Sequence, residues 1–239
     1  MLKISVVIPS YNMAKFIEET IQSIISQNYP DFECIVIDGG STDGTLDILK
    51  KYKNKIVWVS EKDKGQSDAI NKGLRLASGD IIAFINADDA YEKDSFRKVA
   101  NFFKMNPTVK WAYGKCRIIN KDGLEIRKPI TRYRNFWGRR YSYNRLLILD
   151  FIAQPAVFWR KELTDEIGLF DVEKQLSMDY EYWLRAGAKY DPAFIDDYLA
   201  RFRVHPGSKG SLSMVPAIKV ALDDAKRFAR AQGKKFLIP

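Results

Sequence analysis

The feature that most constrains this chain is an apolar run that stops in a knot of carboxylates. Asp80-Ile81-Ile82-Ala83-Phe84-Ile85 reads as a buried strand and leads straight into Asn86-Ala87-Asp88-Asp89. A strand apolar on both faces belongs in a parallel sheet covered by helices, and such open sheets collect ligands beyond the carboxyl ends of their strands. Adjacent aspartates there suit a hard divalent cation, Mg²⁺ or Mn²⁺, shared with the phosphates of a substrate. The same residue types also serve as turn and cap residues ahead of a helix starting near Asp94. Taken alone, the segment leaves both readings open.

The pattern recurs along the chain. Ile4-Ser5-Val6-Val7-Ile8 is a β-branched run in which Pro9 ends the strand and fixes the backbone where Tyr11 and Asn12 emerge. Phe32 to Asp38 is a second apolar strand ending in Asp, followed by Gly39-Gly40-Ser41-Thr42-Asp43-Gly44-Thr45, a glycine-rich turn rich in helix caps. Ile56-Val57-Trp58-Val59 precedes Ser60 to Gly73, with Asp63 and Asp68, and a helix reaching about Ala77. Three successive strands therefore bring acidic residues to one rim. Phe16, Ile17, Ile21, Ile24 and Ile25 form a helical stripe between the first two strands. Alternating strand and helix with right-handed crossovers gives helices on both faces of a mostly parallel sheet. With 239 residues and 46% hydrophobic content the chain can bury one sizeable α/β core.

Several segments carry a resemblance in order and spacing. They are Val7-Ile8-Pro9-Ser10-Tyr11-Asn12, Asp38 to Thr45, Asp63-Lys64-Gly65 through Asp68-Ala69-Ile70-Asn71-Lys72-Gly73, Ala77-Ser78-Gly79-Asp80 and Asn86-Ala87-Asp88-Asp89. Gln154-Pro155-Ala156, Gly168-Leu169-Phe170-Asp171, Met178 to Arg185, Arg203-Val204-His205 and Ser208-Lys209 continue it. Together they resemble the family 2 glycosyltransferases, over nearly the whole chain. The resemblance implies a GT-A fold: α/β, with a Rossmann-like, mostly parallel sheet flanked by helices and a smaller mixed sheet in the acceptor half. It implies one domain over residues 1–239, with a nucleotide-sugar donor half to residue 115 and an acceptor half from 116 that ends in a C-terminal helix.

The resemblance also assigns roles. Pro9, Tyr11, Asp38, Asp63 and Asn71, with Asn86 and Ala87, would hold the nucleotide by stacking and hydrogen bonds. Asn86-Ala87-Asp88 looks like the family's Asp-x-Asp metal motif with Asn in first place, so Asp88, Asp89 and His205 are the implied contacts to Mn²⁺ or Mg²⁺ and the diphosphate. Asp179 matches the catalytic base, and Gln154 and Trp183 would line the acceptor pocket. The implied reaction is a metal-dependent inverting transfer from a nucleotide diphosphate sugar, a UDP-sugar being favoured. The acceptor would be a glycan or lipid-linked hydroxyl in polysaccharide, glycan or glycolipid assembly.

The residues have blander readings beside these. Asp179 opens an amphipathic helix, Tyr180 to about Ala188, where Asp is a favoured N-cap in any protein. His205 precedes Pro206, a common turn arrangement, and Gln154-Pro155 can simply start the strand Ala156 to Trp159. Cys34 and Cys116 lie in apolar runs with no metal-ligand spacing and read as small packing residues. Other enzyme classes lack their signatures. The first strand-to-helix turn carries Pro9-Ser10-Tyr11-Asn12, not the Gly-x-Gly-x-x-Gly of dinucleotide oxidoreductases, and no Gly-Lys-Ser/Thr element opens a helix. A sugar nucleotidyltransferase is the nearest enzyme alternative, but it would show a glycine-rich, arginine-containing loop after the first strand.

The net charge of +9 calls for an anionic partner. Much of it falls in Arg127-Lys128 and Arg132 to Arg145, where arginines alternate with Tyr133, Phe136, Trp137, Tyr141 and Tyr143. That composition suits an anionic membrane surface or a lipid diphosphate, or a loop whose aromatics cover the sheet. It would also suit a basic nucleic-acid-binding module, but strand-end carboxylates would repel nucleic acid, so none is expected as a partner. The C-terminal segment shows Ile218, Leu222, Ala225 and Ala229 against Lys219, Lys226, Arg227, Arg230, Lys234 and Lys235, a helix expected to dock its apolar stripe on the core. Leu146 to Ala153 is too short and too interrupted to cross a bilayer, and the N-terminus has no signal-peptide core. The expected location is cytoplasmic, peripheral at the inner face of the membrane.

Overall fold

The structure, a computed structural model, describes residues 1–208 and 214–233. Lys209, Lys234 and Lys235 lie outside the described residues. Four parallel strands form the first part of the sheet: β1 (Ile4–Ser10), β2 (Phe32–Asp38), β3 (Val57–Ser60) and β4 (Ile81–Phe84). They are joined by α1 (Ile17–Ile25), α2 (Thr45–Lys51) and α3 (Gln66–Leu76). Ser10 lies beside Asp38 and Asp38 beside Ser60, so the carboxyl ends come out on one edge.

The later strands are β5 (Ala90–Tyr91), β6 (Trp111–Ile119), β7 (Val157–Arg160) and β8 (Ala193–Arg203). The order across the sheet is β3-β2-β1-β4-β7-β6-β8-β5. β7 runs antiparallel to both β4 and β6, β8 pairs parallel with β6, and β5 pairs antiparallel with β8. The mixed strands expected of the second half thus continue the parallel sheet without a break. Residue 115 falls inside β6.

Strand alternation splits the core into two layers. Ile4, Val6 and Ile8 of β1 face the layer that holds Ile17, Ile21 and Ile24 of α1, Leu49 of α2, and Phe96, Val99 and Phe103 of α4 (Ser95–Met105). Val7 faces the other layer, against Ala69, Ile70 and Leu74 of α3. Gly73 lets α3 sit close there, because a Cβ at that position would stand 2.3 Å from Val7 Cγ1. The second layer continues through α5 (Lys128–Gly138), α6 (Tyr143–Leu146), α7 (Lys161–Ile167), α8 (Met178–Lys189) and α9 (Met214–Ala231).

Rings anchor α8. Trp183 stacks on Trp111 of β6 at 5.6 Å, and Tyr182 stacks on Phe170 at 4.1 Å. Trp183 is buried in this stack and does not reach an acceptor pocket, because its apolar ring is what fastens α8 to the sheet. The helix begins two residues earlier than its apolar pattern indicates, with Ser177 in the N-cap position and Asp179 in the first turn. α9 docks through Ala225 and Ala229, as its stripe requires, while Ile218 stays exposed. Cys34 and Cys116 are free and buried, and burial raises both thiol pKa values, that of Cys34 to about 12.

Candidate active site

A cavity of about 580 Å³ opens over the carboxyl ends of β1 and β4, within the range of small-molecule sites. Its walls include Pro9 and Tyr11 after β1, Asp63 and Gln66 at the start of α3, Asn86, Ala87 and Asp88 after β4, Gln154, and Asp179. Eight of the expected residues are therefore brought together from segments far apart in sequence. Tyr11 is 60% exposed, an aromatic face held open at the mouth.

Side chains of one turn hold the backbone of another to keep it there. Asn12 takes a left-handed conformation, φ 53°, and its N–H donates to the Ser41 hydroxyl at 2.7 Å. The Met13 N–H donates to Thr45 Oγ1 at 2.9 Å, and the Ala14 N–H to Asp43 at 3.0 Å. Asp43 also accepts from Thr45, and these hydrogen bonds hold its carboxyl below the usual range although burial pushes it up. The Ser41–Thr45 turn is thus a zipper between two loops.

Asp38 is the centre of that turn and stands behind the cavity wall. It is fully buried and accepts from the N–H groups of Gly40 and Ser41 and from the hydroxyls of Ser41 and Ser60, at 2.5 to 3.0 Å. So held, its carboxylate shapes the loop. Asn71 likewise has partners within the fold. It is buried on α3, where its amide donates to the Phe170 carbonyl at 2.8 Å and accepts the Phe170 N–H at 2.9 Å, fastening two segments of backbone.

The acidic pair after β4 divides its work. Asp88 is 8% exposed, lines the cavity, and places Oδ2 3.0 Å from His205 Nε2. The Gly207 N–H donates to His205 Nδ1 at 3.2 Å, an arrangement that leaves the ring proton on Nε2, facing Asp88. The imidazole also packs on the Phe16 ring at 4.6 Å. Asp89, expected as a supporting metal ligand, is fully buried away from the cavity. Its carboxylate accepts the Arg203 N–H at 2.7 Å and the Asn86 amide at 3.1 Å. Burial, and then the charge of Asp88, raise its pKa well above the usual carboxylate range.

Two organisers were not singled out by sequence reasoning. Arg203 is buried, donating to the carbonyls of Asp88, Asn120 and Lys121 and to Glu19, so it fixes the backbone that carries Asp88. Arg203-Val204-His205 belongs to the family resemblance, but only the inward side of β8 gives Arg203 this role. Gln66 donates to Asn86 Oδ1 at 2.7 Å, Asn86 reaches Gln154 Oε1 at 3.4 Å, and Gln154 donates to the Phe84 carbonyl at 2.7 Å. That relay aims the Asn86 and Gln154 side chains at the cavity.

Asp179 enters from the opposite half of the sequence, and its carboxylate accepts its own helix's Tyr180 N–H at 2.9 Å. Asp150 is electrostatically coupled to it. Asp150 keeps solvent access, yet the protein packed around it and the charge of Asp179 raise its pKa to about 7, against the pull of Arg134.

Parallel strands ordered 3-2-1-4, an antiparallel continuation and a cavity over the strand ends define the α/β fold of the GT-A type. The profile "Glycosyl transferase family 2" matches residues 5–168, and the chain belongs to that family. Asp179 and His205 lie beyond the matched span. A Mycobacterium tuberculosis glycosyltransferase named for PGL/p-HBAD biosynthesis is 31% identical over 201 residues, covering 82% of this chain and 73% of its own. A Bacillus subtilis protein named for teichuronic acid biosynthesis is 30% identical over 207 residues, covering 84% and 79%. Among solved structures, S. aureus TarS 1–349 in complex with UDP-GlcNAc superposes with a TM-score of 0.70 at 20% identity, covering 93% of this chain and 66% of that one. Mannosyltransferase PcManGT from Pyrobaculum calidifontis, in complex with GDP-Man and Mn²⁺, superposes with a TM-score of 0.70 at 19% identity, covering 100% and 77%.

Proposed function

We propose that this glycosyltransferase moves a sugar from a nucleoside diphosphate sugar to a hydroxyl with inversion at the anomeric carbon. The observation that carries this is the meeting of Asp88, paired with His205, and Asp179 on one cavity, drawn from separate elements. Tyr11 offers its open ring to the base, and Asp63 lies where the nucleoside would follow. The fold is shared with complexes of both UDP-GlcNAc and GDP-Man, which supports a nucleotide-sugar donor, and a UDP-sugar is the donor proposed.

Asp88 offers a carboxylate oxygen suited to Mn²⁺ or Mg²⁺, and His205, whose Nε2 lies 3.0 Å from it, would join as a ligand only after giving up the Nε2 proton it turns toward Asp88, or would otherwise donate that proton to a diphosphate oxygen. Among the described residues no third such side chain joins them, which leaves coordination positions for phosphate oxygens. A bound cation supplies charge neutralisation at the departing diphosphate. Asp179 takes the proton from the acceptor hydroxyl as its oxygen bonds to the anomeric carbon, and the bond to the diphosphate oxygen breaks. Arg203 holds the Asp88 backbone, and Gln154 presents a polar edge on the acceptor side. The relatives' names, for PGL/p-HBAD and teichuronic acid biosynthesis, support a role in polysaccharide or glycan assembly. A glycan or lipid-linked acceptor, met in the cytoplasm at the membrane's inner face, completes the proposal.

The test is release of nucleoside diphosphate from UDP-, GDP- and dTDP-sugars with Mn²⁺ or Mg²⁺, with and without glycan and lipid-linked acceptors. Cation-dependent turnover of a UDP-sugar and an inverted product are expected. Failure with every donor, or a retained configuration by NMR, overturns the reading.

A further inference from the structure

The positive charge of this chain is concentrated on one side. Between Glu125 and Asp150 there is no acidic residue, while Arg127, Lys128, Arg132, Arg139, Arg140 and Arg145 all fall there. α5 occupies the middle of this stretch. Its inner face is Thr131 and Gly138, both buried, with Gly138 set against Phe194 and Tyr113. Helical spacing then turns Pro129, Tyr133 and Phe136 outward at i, i+4 and i+7. Tyr133 is 50% exposed, Phe136 47% and Ile130 45%.

That is the reverse of an ordinary surface helix, which turns its polar side to water. Cations frame the rings. The Arg140 guanidinium lies 4.0 Å from the Phe136 centroid, and Arg145 lies 4.9 Å from that of Trp137. Arg139 is neutralised by Asp196 at 2.8 Å, but Arg127, Lys128, Arg132 and Arg140 have no carboxylate partner among the described residues.

We propose that α5 is a membrane-docking ledge, laying Tyr133 and Phe136 into the headgroup layer of an anionic bilayer while Arg127, Lys128, Arg132 and Arg140 meet lipid phosphates. Aromatic rings settle at headgroup depth and cations seek the negative surface, and this helix with its two flanking residues Arg127 and Arg140 exposes both. A single-stranded nucleic acid would need a groove in which bases stack, whereas these rings stand on a projecting helix. The ledge rests on charge and exposure alone and goes beyond the transfer chemistry.

The test is co-sedimentation of the full chain with vesicles of phosphatidylglycerol and phosphatidylcholine, or of phosphatidylcholine alone. The wild type should sediment with anionic vesicles at low salt and be released as salt rises. Arg127→Gln, Lys128→Gln, Arg132→Gln and Arg140→Gln combined should weaken partitioning at least ~100-fold, taking about fivefold per cation. The double variant Tyr133→Ser and Phe136→Ser should also detach, with melting temperature and nucleotide affinity kept. Indifference of the wild type to anionic vesicles, unchanged binding by either variant, or binding to single-stranded RNA without binding to vesicles each overturns the ledge. None of these outcomes bears on sugar transfer, which donor turnover in detergent-free solution reads separately.

Discussion

Asp38 and Asp88 both follow apolar parallel strands, and the structure gives them different work. Asp38→Ala strands the N–H groups of Gly40 and Ser41 and the Ser60 hydroxyl, so it should cost about 2 to 4 kcal/mol of stability as well as nucleotide affinity, read by thermal melts and calorimetry. Asp88→Asn should leave the melting temperature nearly unchanged and abolish the Mn²⁺-dependent part of nucleoside diphosphate binding. Asp179→Asn should keep donor affinity while lowering turnover by roughly 10²- to 10⁴-fold, the range for a positioned base. The sequence showed that carboxylates end these strands. It did not show which of them had donors at home, because Ser60 sits 22 residues from Asp38 and Arg203 sits 114 from Asp89. The partners of Asn71 and Trp183, Phe170 and Trp111, are likewise brought to them only by the fold.

Among elements, the strands and helices of the first half were legible from apolar periodicity and from caps. The pairing of β6, β7 and β8 was not, since strand direction in a mixed sheet depends on neighbours distant in sequence. The segment 128–138 carried too many outward rings to show an amphipathic helix with a buried face, yet Thr131 and Gly138 are what it buries. α8, which bears Asp179, is clamped from outside by α9. Asp224 is buried and accepts from Lys174 Nζ at 2.6 Å and from the N-cap residue Ser177 at 3.2 Å, while Glu181 binds Arg185 at 2.9 Å. Asp224→Ala should therefore destabilise the fold by on the order of 2 kcal/mol and lower kcat more than it changes donor KM, measured by denaturation and steady-state kinetics.

For the molecule as a whole, one acid at the far edge of the sheet sets a pH limit. Glu33 at the start of β2 binds Lys3 of the segment before β1 at 2.8 Å and also takes hydrogen bonds from Ser5 and Ser78. Burial opposes its ionisation, but those partners win and hold its pKa at about 2, from an ordinary value of 4.5. A depressed acid stabilises the fold fully above the unfolded pKa, and that contribution is lost as pH falls through the folded one. Unfolding free energy should thus decline between about pH 4.5 and 2, and the Glu33→Gln variant should show a flatter curve in urea titrations over that window. The sheet sets a mechanical limit as well. β4 is bonded directly to β7 and the strands run unbroken from β3 to β5, so the first and second parts of the chain share one hydrogen-bonded sheet. The two parts should therefore melt together as one calorimetric peak.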